Sequence, residues 1–262
     1  MRNNAGVIAR VYSSEPLVEG HAVALADDEV HHVMRVLRLG ADDAVRVFDG
    51  RGHEHEARIE LAGTGGVVLR VGAAAVPAPE PPVALTLAQA VLKSDATDDV
   101  VRDAAMIGAA AIVPLVTART ETTLARLRQQ RRVERWTRVA IASVKQCGRA
   151  VVPAIAEPAA FEPSRLALPA PVLMLVEPRA PWTGGAPVSM RDLLAGGRDA
   201  PALPPPDAAT IVVGPEGGWA DEELAAAAAA GWTAVTLGGR TLRADAAGLV
   251  AASLVLAMWS DE

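Results

Sequence analysis

Two glycine turns, each set between a short apolar run and a helix-like stretch, constrain this chain more than any other feature. Thr210–Val213 reads as a buried strand running into Gly214, Pro215, Glu216, Gly217 and Gly218, with Asp221 and Glu222 opening an Ala-rich helix behind them. Later, a strand at Val235–Leu237 ends in Gly238 and Gly239, passes Arg240, Leu242 and Arg243, and enters an apolar helix over Ala246–Trp259. Glycine lets a backbone approach a ligand with no Cβ in the way, and a helix N-terminus adds outward-facing N–H donors. In an open α/β sheet, such turns at the carboxyl ends of neighbouring strands mark the ligand crevice. This is the candidate active site. The turns match neither the G-x-G-x-x-G nor the G-x-x-x-x-G-K-S/T phosphate pattern. Glu216 reads as an acceptor held by backbone N–H groups. Arg240 and Arg243 offer planar forks suited to a phosphate or a base edge.

The rest of the chain divides in two. Up to residue 72, short alternating runs at Ala22–Leu25, Ala44–Phe48, Glu54–Leu61 and Gly66–Val71 predict strands, with a hairpin at Asp49-Gly50-Arg51-Gly52. One helix over Asp27–Leu39 interrupts them, stopping at Gly40 and carrying His31, Arg35 and Arg38 on its polar flank. Mostly β with one helix predicts a small barrel. Residues 73–82, AAAVPAPEPP, read as a Pro-rich linker. Beyond it, strands (Val83–Ala88, Ala111–Val116, Leu173–Val176) alternate with helices (Asp95–Gly108, Leu124–Gln146). That alternation predicts a mostly parallel sheet covered on both faces. Pro114 places its strand at an edge or a strand end. Residues 156–170 and 178–206 are expected to be irregular loops.

Charge sharpens the functional reading. The chain of 262 residues has a net charge of −6, so a polyanion partner requires a local patch. Nine basic residues lie between Arg119 and Arg149, Arg131, Arg132 and Arg135 among them, against Glu121 and Glu134. We read that cluster as an RNA footprint. The single cysteine, Cys147, fits a reducing cytosol and excludes an internal disulfide. His31, His32, His53 and His55 lack a third ligand in a metal spacing, so no metal is expected. No apolar leader and no membrane-length apolar run is read, and a cytoplasmic location is expected.

The order of motifs now points to a family. HHVMRVLRLGADDAVRVFDGRGHEHEARI (31–59), Lys93 after a strand, IVPLVTARTE (112–121), KQCGR (145–149), VGPEGGW (213–219) and VTLGGRTLRADAA (235–247) occur together. The chain resembles the RsmE family of 16S ribosomal RNA (uracil-N3)-methyltransferases in the SPOUT superfamily. The resemblance implies an α/β fold: a SPOUT methyltransferase domain over residues 83–262, knotted as a trefoil across roughly 171–262, with a smaller PUA-like β-barrel for RNA over 1–72. It implies S-adenosyl-L-methionine as cofactor, the small ribosomal subunit as partner, and a homodimer without metal or membrane. Carried over by position, the cofactor loops are Leu175, Val176 and Glu177; Gly214 to Gly218; and Leu237, Gly238, Gly239, Arg240 and Leu242. Arg243 becomes the catalytic cation. His31, Arg35, Arg38, Arg131, Arg132, Arg135 and Arg149 form the RNA surface. The family's acids are replaced at Met106 and Lys145, and its Glu-Thr-Ala reads Asp245-Ala246-Ala247. No carboxylate is assigned as general base. Two rivals stay open: another RNA methylation (ribose 2′-O or another base), and a non-catalytic RNA-binding assembly factor.

Overall fold

The computed structural model describes residues 8–63, 65–197 and 201–260. The chain forms two compact units: Met1–Glu80 with Ile141–Val152, and Pro81–Ala140 with Pro153–Glu262.

In the first unit, β1 (Ala9–Tyr12), β2 (Ala22–Ala24), β3 (Ala44–Phe48), β4 (Glu54–Gly63) and β5 (Gly66–Ala75) form one mixed sheet in the order β1-β3-β4-β5-β2. The β1–β3 pairing is parallel and the others antiparallel. β1 escaped the strand signals, and β5 runs through Ala75 into the expected linker. The β3–β4 hairpin turns where expected. Gly50 and Gly52 sit at φ +74° and +106°, and Asp49 Oδ1 accepts the N–H groups of Arg51 (2.7 Å) and His53 (3.2 Å). Helix α1 (Asp27–His31) continues through wide π-type turns over His32–Leu37. It stops at Arg38, itself left-handed at φ +57°, two residues before the expected Gly40. Val11, Val33, Val45, Val47, Ile59 and Leu69 make the core.

The second unit holds β6 (Ala84–Ala90), α2 (Ala96–Ile107), β7 (Ala111–Val116), α3 (Leu124–Gln129) and the start of α4 (Arg132–Cys147). It continues with β8 (Ala154–Ile155), β9 (Ala159–Ala160), β10 (Val172–Leu175), β11 (Val188–Ser189), α5 (Met190–Ala195), β12 (Ala208–Val213), α6 (Asp221–Ala229), β13 (Thr233–Thr236) and α7 (Ala244–Ser260). The sheet order is β11-β13-β10-β12-β6-β7-β8, with β9 also on β7, and every pairing is parallel. The α/β grammar read from the sequence therefore holds, and three details change. The expected long helix breaks at Arg131 (φ +50°) into α3 and α4. The residues expected as an irregular insertion contain β11 and α5. And β7 lies inside the sheet, not at an edge. The carbonyls of Ile112 and Val116 accept bonds from Ala156 and Phe161, so by strand alternation Pro114 faces the same side. There it meets the gap between β8 and β9, where no N–H is asked of it.

Helix α7 rests directly on the sheet at Gly248. A Cβ there would lie 3.2 Å from Gln89 Oε1 and 3.3 Å from the side chains of Leu87 and Val213. A side chain there would push the neighbours back by a few tenths of an ångström.

Candidate active site

β13, β10, β12 and β6 are adjacent, and the loops leaving their carboxyl ends converge on one cavity of about 880 Å³. Its lining includes Leu175, Val176 and Glu177 after β10, and Gly214, Pro215, Glu216 and Gly218 after β12. Leu237, Arg240, Leu242 and Arg243, between β13 and α7, complete the set that the motifs single out. Gly217, Gly238 and Gly239 stay outside the lining. The cavity also takes in Leu92, Lys93, Ser94 and Asp95 on the loop after β6, and Asp99 on α2. Motif reading gave that loop no role because it carries no glycine. Its signal was position: Lys-Ser-Asp at the end of a buried strand.

The first glycine turn is clamped from both sides. Trp219 is buried among Ala88, Met174, Val212 and Leu224, and its indole N–H donates to the Leu175 carbonyl at 2.9 Å. A Cβ on Gly214 would lie 2.9 Å from Trp219 Cε2, so this glycine is required by the ring. On the other side, Arg119 Nη1 donates to the Gly217 carbonyl at 2.8 Å. Glu223 spans two segments, accepting the N–H of Ala118 at 2.8 Å and of Ala220 at 2.9 Å. The second bond caps helix α6. Gly218 is left-handed at φ +69° and Gly238 at φ +92°. Space above Gly238 and Gly239 is open.

Charges ring the cavity. Glu216 Oε1 accepts the backbone N–H of Lys93 at 3.0 Å, so the donor comes from the neighbouring strand's end, not from the glycine turn itself. The Lys93 ammonium pairs with Glu121 at 2.7 Å, which raises its pKa. Arg243 donates through Nε and Nη2 to both oxygens of Asp245, at 3.1 and 2.9 Å. This fork raises the Arg243 pKa and holds the Asp245 carboxyl below its ordinary value. The shorter acid at Asp245 thus still engages the arginine.

The expected RNA residues separate into two groups. His31, Arg35 and Arg38 are exposed, and among the described residues none of them forms an ion pair. Arg135 instead bridges Asp95 and Asp98, Arg132 stands 3.7 Å from Asp98, and Arg131 pairs with Glu134. The acids of α2 offset a charge excess that counting along the chain makes look free. Arg149 is buried and grips Glu80, so it is not presented to RNA. Lys145, where the family pattern has an acid, forms an ion pair with buried Glu29. His53 and His55 take separate partners, Asp49 Oδ2 at 2.7 Å and the Gly72 carbonyl at 2.9 Å.

Comparisons with known proteins agree with this geometry. The RNA methyltransferase domain family matches residues 79–256, and the RNA methyltransferase PUA domain family matches residues 25–72. Ribosomal RNA small subunit methyltransferase E of Synechocystis is 32% identical, over 95% of this chain and 77% of its own length. Its namesake in Mycobacterium bovis is 30% identical, over 95% of this chain and 92% of its own. Among solved structures, the Neisseria gonorrhoeae methyltransferase E bound to S-adenosyl methionine superposes with a TM-score of 0.80 at 29% identity, covering 97% of this chain and 98% of that one. A methyltransferase from Legionella pneumophila in complex with the same cofactor gives a TM-score of 0.83 at 25% identity, covering 96% and 98%.

Proposed function

This chain belongs to the ribosomal RNA small subunit methyltransferase E family, and from that premise we propose that it methylates N3 of a uridine in 16S ribosomal RNA. It is an S-adenosylmethionine-dependent ribosomal RNA methyltransferase. The observation that carries the finer reading is the convergence of four strand-end loops on one cavity edged by Arg243 and Lys93.

The residues present fit the cofactor. The cavity of about 880 Å³ falls in the usual range of about 300–1,000 Å³ for a small-molecule site. Leu175 to Glu177, Gly214 to Gly218 and Leu237 to Leu242 would hold it. When bound, S-adenosylmethionine supplies an electrophilic sulfonium methyl. The protein's part is orientation and charge. The glycine loops hold the reacting groups in line, an effect that replaces encounter entropy with fixed geometry. As N3 loses its proton, negative charge grows on uracil O2 and O4, and the Arg243 fork is placed at the cavity rim to stabilise it. The uridine must leave its stack to enter.

Several coarser features support the finer architecture. Membership of the family supports a trefoil knot over roughly residues 171–262. The mixed sheet and the PUA family match support a PUA-like barrel. His31, Arg35 and Arg38 are the core of our RNA surface, with Arg131, Arg132 and Arg135 contributing where phosphates displace their acids. On α7, Val250, Leu254 and Met258 recur every fourth residue and are 40%, 41% and 44% exposed. That apolar stripe supports pairing of two chains. Among the described residues no helix is long and apolar enough to cross a membrane, and we place the protein in the cytoplasm with its ribosomal substrate.

Nucleoside analysis of small-subunit RNA from cells with and without the gene tests the reaction. Loss of 3-methyluridine on deletion, restored by the wild-type gene, is expected. A lost 2′-O-methyl nucleoside, or an unchanged 3-methyluridine level, would overturn the assignment.

A further inference from the structure

Glu216 is one of the carboxylates lining the cavity, and its two oxygens are unequally occupied. Oε1 is held by the Lys93 N–H at 3.0 Å. Among the described residues Oε2 accepts no hydrogen bond, and the side chain is exposed where the residue lines the cavity. Cations flank it. Its charge acts on both Lys93 and Arg243, which line the same cavity. The Lys93–Glu121 pair is 56% and 68% exposed, so opening it costs little. Arg243 spends Nε and Nη2 on Asp245 and keeps Nη1 free of hydrogen bonds among the described residues. Lys93, Glu216 and Arg243 thus bring two donor groups and one acceptor to the same cavity.

Two donors and one acceptor are the set of groups that complements one base edge. Uracil presents O2, N3–H and O4: acceptor, donor, acceptor. Cytosine presents an acceptor at N3 and an amine at position 4, and would set its N3 lone pair against a carboxylate. We infer that Glu216 reads the N3–H of the target uracil through Oε2 and takes its proton, which makes it both the specificity residue and the proton acceptor. The inference rests on the uracil-N3 reading. In the step, the N3–C bond forms as the methyl–sulfur bond breaks, and the electron pair of that bond stays on sulfur. The N3–H proton passes to Oε2 and then to water. The Lys93 N–H on Oε1 favours the orientation in which Oε2 is left to accept from a ligand.

The test uses the full-length protein with S-adenosylhomocysteine and transcribed small-subunit RNA carrying either uridine or cytidine at the mapped target. The wild type is expected to bind the uridine RNA more tightly, on the order of tenfold, because a mismatched edge leaves buried polar groups unmet. In Glu216→Gln the amide carbonyl keeps the Lys93 bond and turns an NH2 group toward N3. The preference should then vanish or invert, and transfer to uridine should fall on the order of a hundredfold. Glu216→Asp retains a carboxylate and should keep the preference for uridine while transferring slowly. An unchanged uridine preference in Glu216→Gln, wild-type transfer by that variant, or equal binding of both RNAs by the wild type would each overturn the role. Should Glu216→Gln not fold, the wild-type comparison and Glu216→Asp still decide it. Failure of the wild type to form 3-methyluridine would instead sink the reaction on which the inference rests.

Discussion

At the scale of single residues, one absent methyl group and one guanidinium are the positions at which the proposed site is tested. Gly214 is pressed against Trp219, and Gly214→Ala would place its Cβ 2.9 Å from the ring. The ring cannot retreat without breaking its bond to the Leu175 carbonyl, itself a wall of the cavity. We expect about 1–3 kcal/mol of lost stability in denaturant unfolding, together with weaker binding of S-adenosylhomocysteine by calorimetry. Arg243 behaves differently, being 85% exposed in its side chain and bonded only to Asp245 among the described residues. Arg243→Ala should leave unfolding and cofactor affinity near wild type while slowing transfer by about 10²–10³-fold, as for a lost oxyanion donor. Full-rate transfer by that variant would remove Arg243 from the chemistry. Gly214, Glu216 and Arg243 stand out in the sequence by residue type, and all three line the one cavity. Arg149 misled, since a cation's burial against Glu80 has no local signature.

At the scale of elements, the first unit is pinned by Arg10. Its guanidinium forks onto Glu54 of β4 at 2.9 and 3.0 Å, and also donates to the carbonyls of Val144, Lys145 and Arg149 at the end of α4. Phe48 lies beneath it, with its ring centroid 4.8 Å away. The Val144 and Lys145 carbonyls lie in the last turn of α4, at the negative end of the helix dipole, where a cation is favoured. Arg10→Leu would strand Glu54, whose side chain is 1% exposed, with no opposing charge. The expected cost is about 3–5 kcal/mol by urea titration. Arg10→Leu combined with Glu54→Leu should recover a large part of it, because the stranded charge is then gone. Purely additive losses would refute the pairing argument. Element order and type came through from periodicity and turn chemistry: the hairpin at Asp49–Gly52, the helix ending at Gly108, the strand before Gly214. Breaks without glycine or proline did not. The chain turns left-handed at Arg38 and Arg131, residues whose type argues for a helix continuing. Pro114 argued for an edge because a sequence shows the missing donor but not the gap between β8 and β9 that tolerates it.

At the scale of the whole molecule, the exposed apolar stripe of α7 at Val250, Leu254 and Met258 is our proposed pairing surface for two chains. Leu254→Glu places a charge at its middle, and we expect it to shift the protein from dimer to monomer in sedimentation equilibrium with a cooperative unfolding transition retained. A wild-type protein that sediments as a monomer at micromolar concentration would disprove the pairing. The other whole-molecule feature is that the first unit is discontinuous: Met1–Glu80 is completed by Ile141–Val152. Glu80 clasps Arg149, Ala78 donates to the Gly148 carbonyl, and Gly52 and Val152 bond across the same seam. A fragment of residues 1–80 should therefore unfold without cooperativity, and joining residues 141–152 to it should restore a sigmoidal transition. Cooperative unfolding of residues 1–80 alone would contradict this. On the ribosome the same discontinuity becomes a matter of timing. At about 5–20 residues per second, the sheet that leaves the exit tunnel first must wait several seconds for α4 to emerge. During that interval Arg10 and Glu54 are paired with nothing beyond them, and the first unit is open to chaperones and proteases until residues 141–152 have emerged.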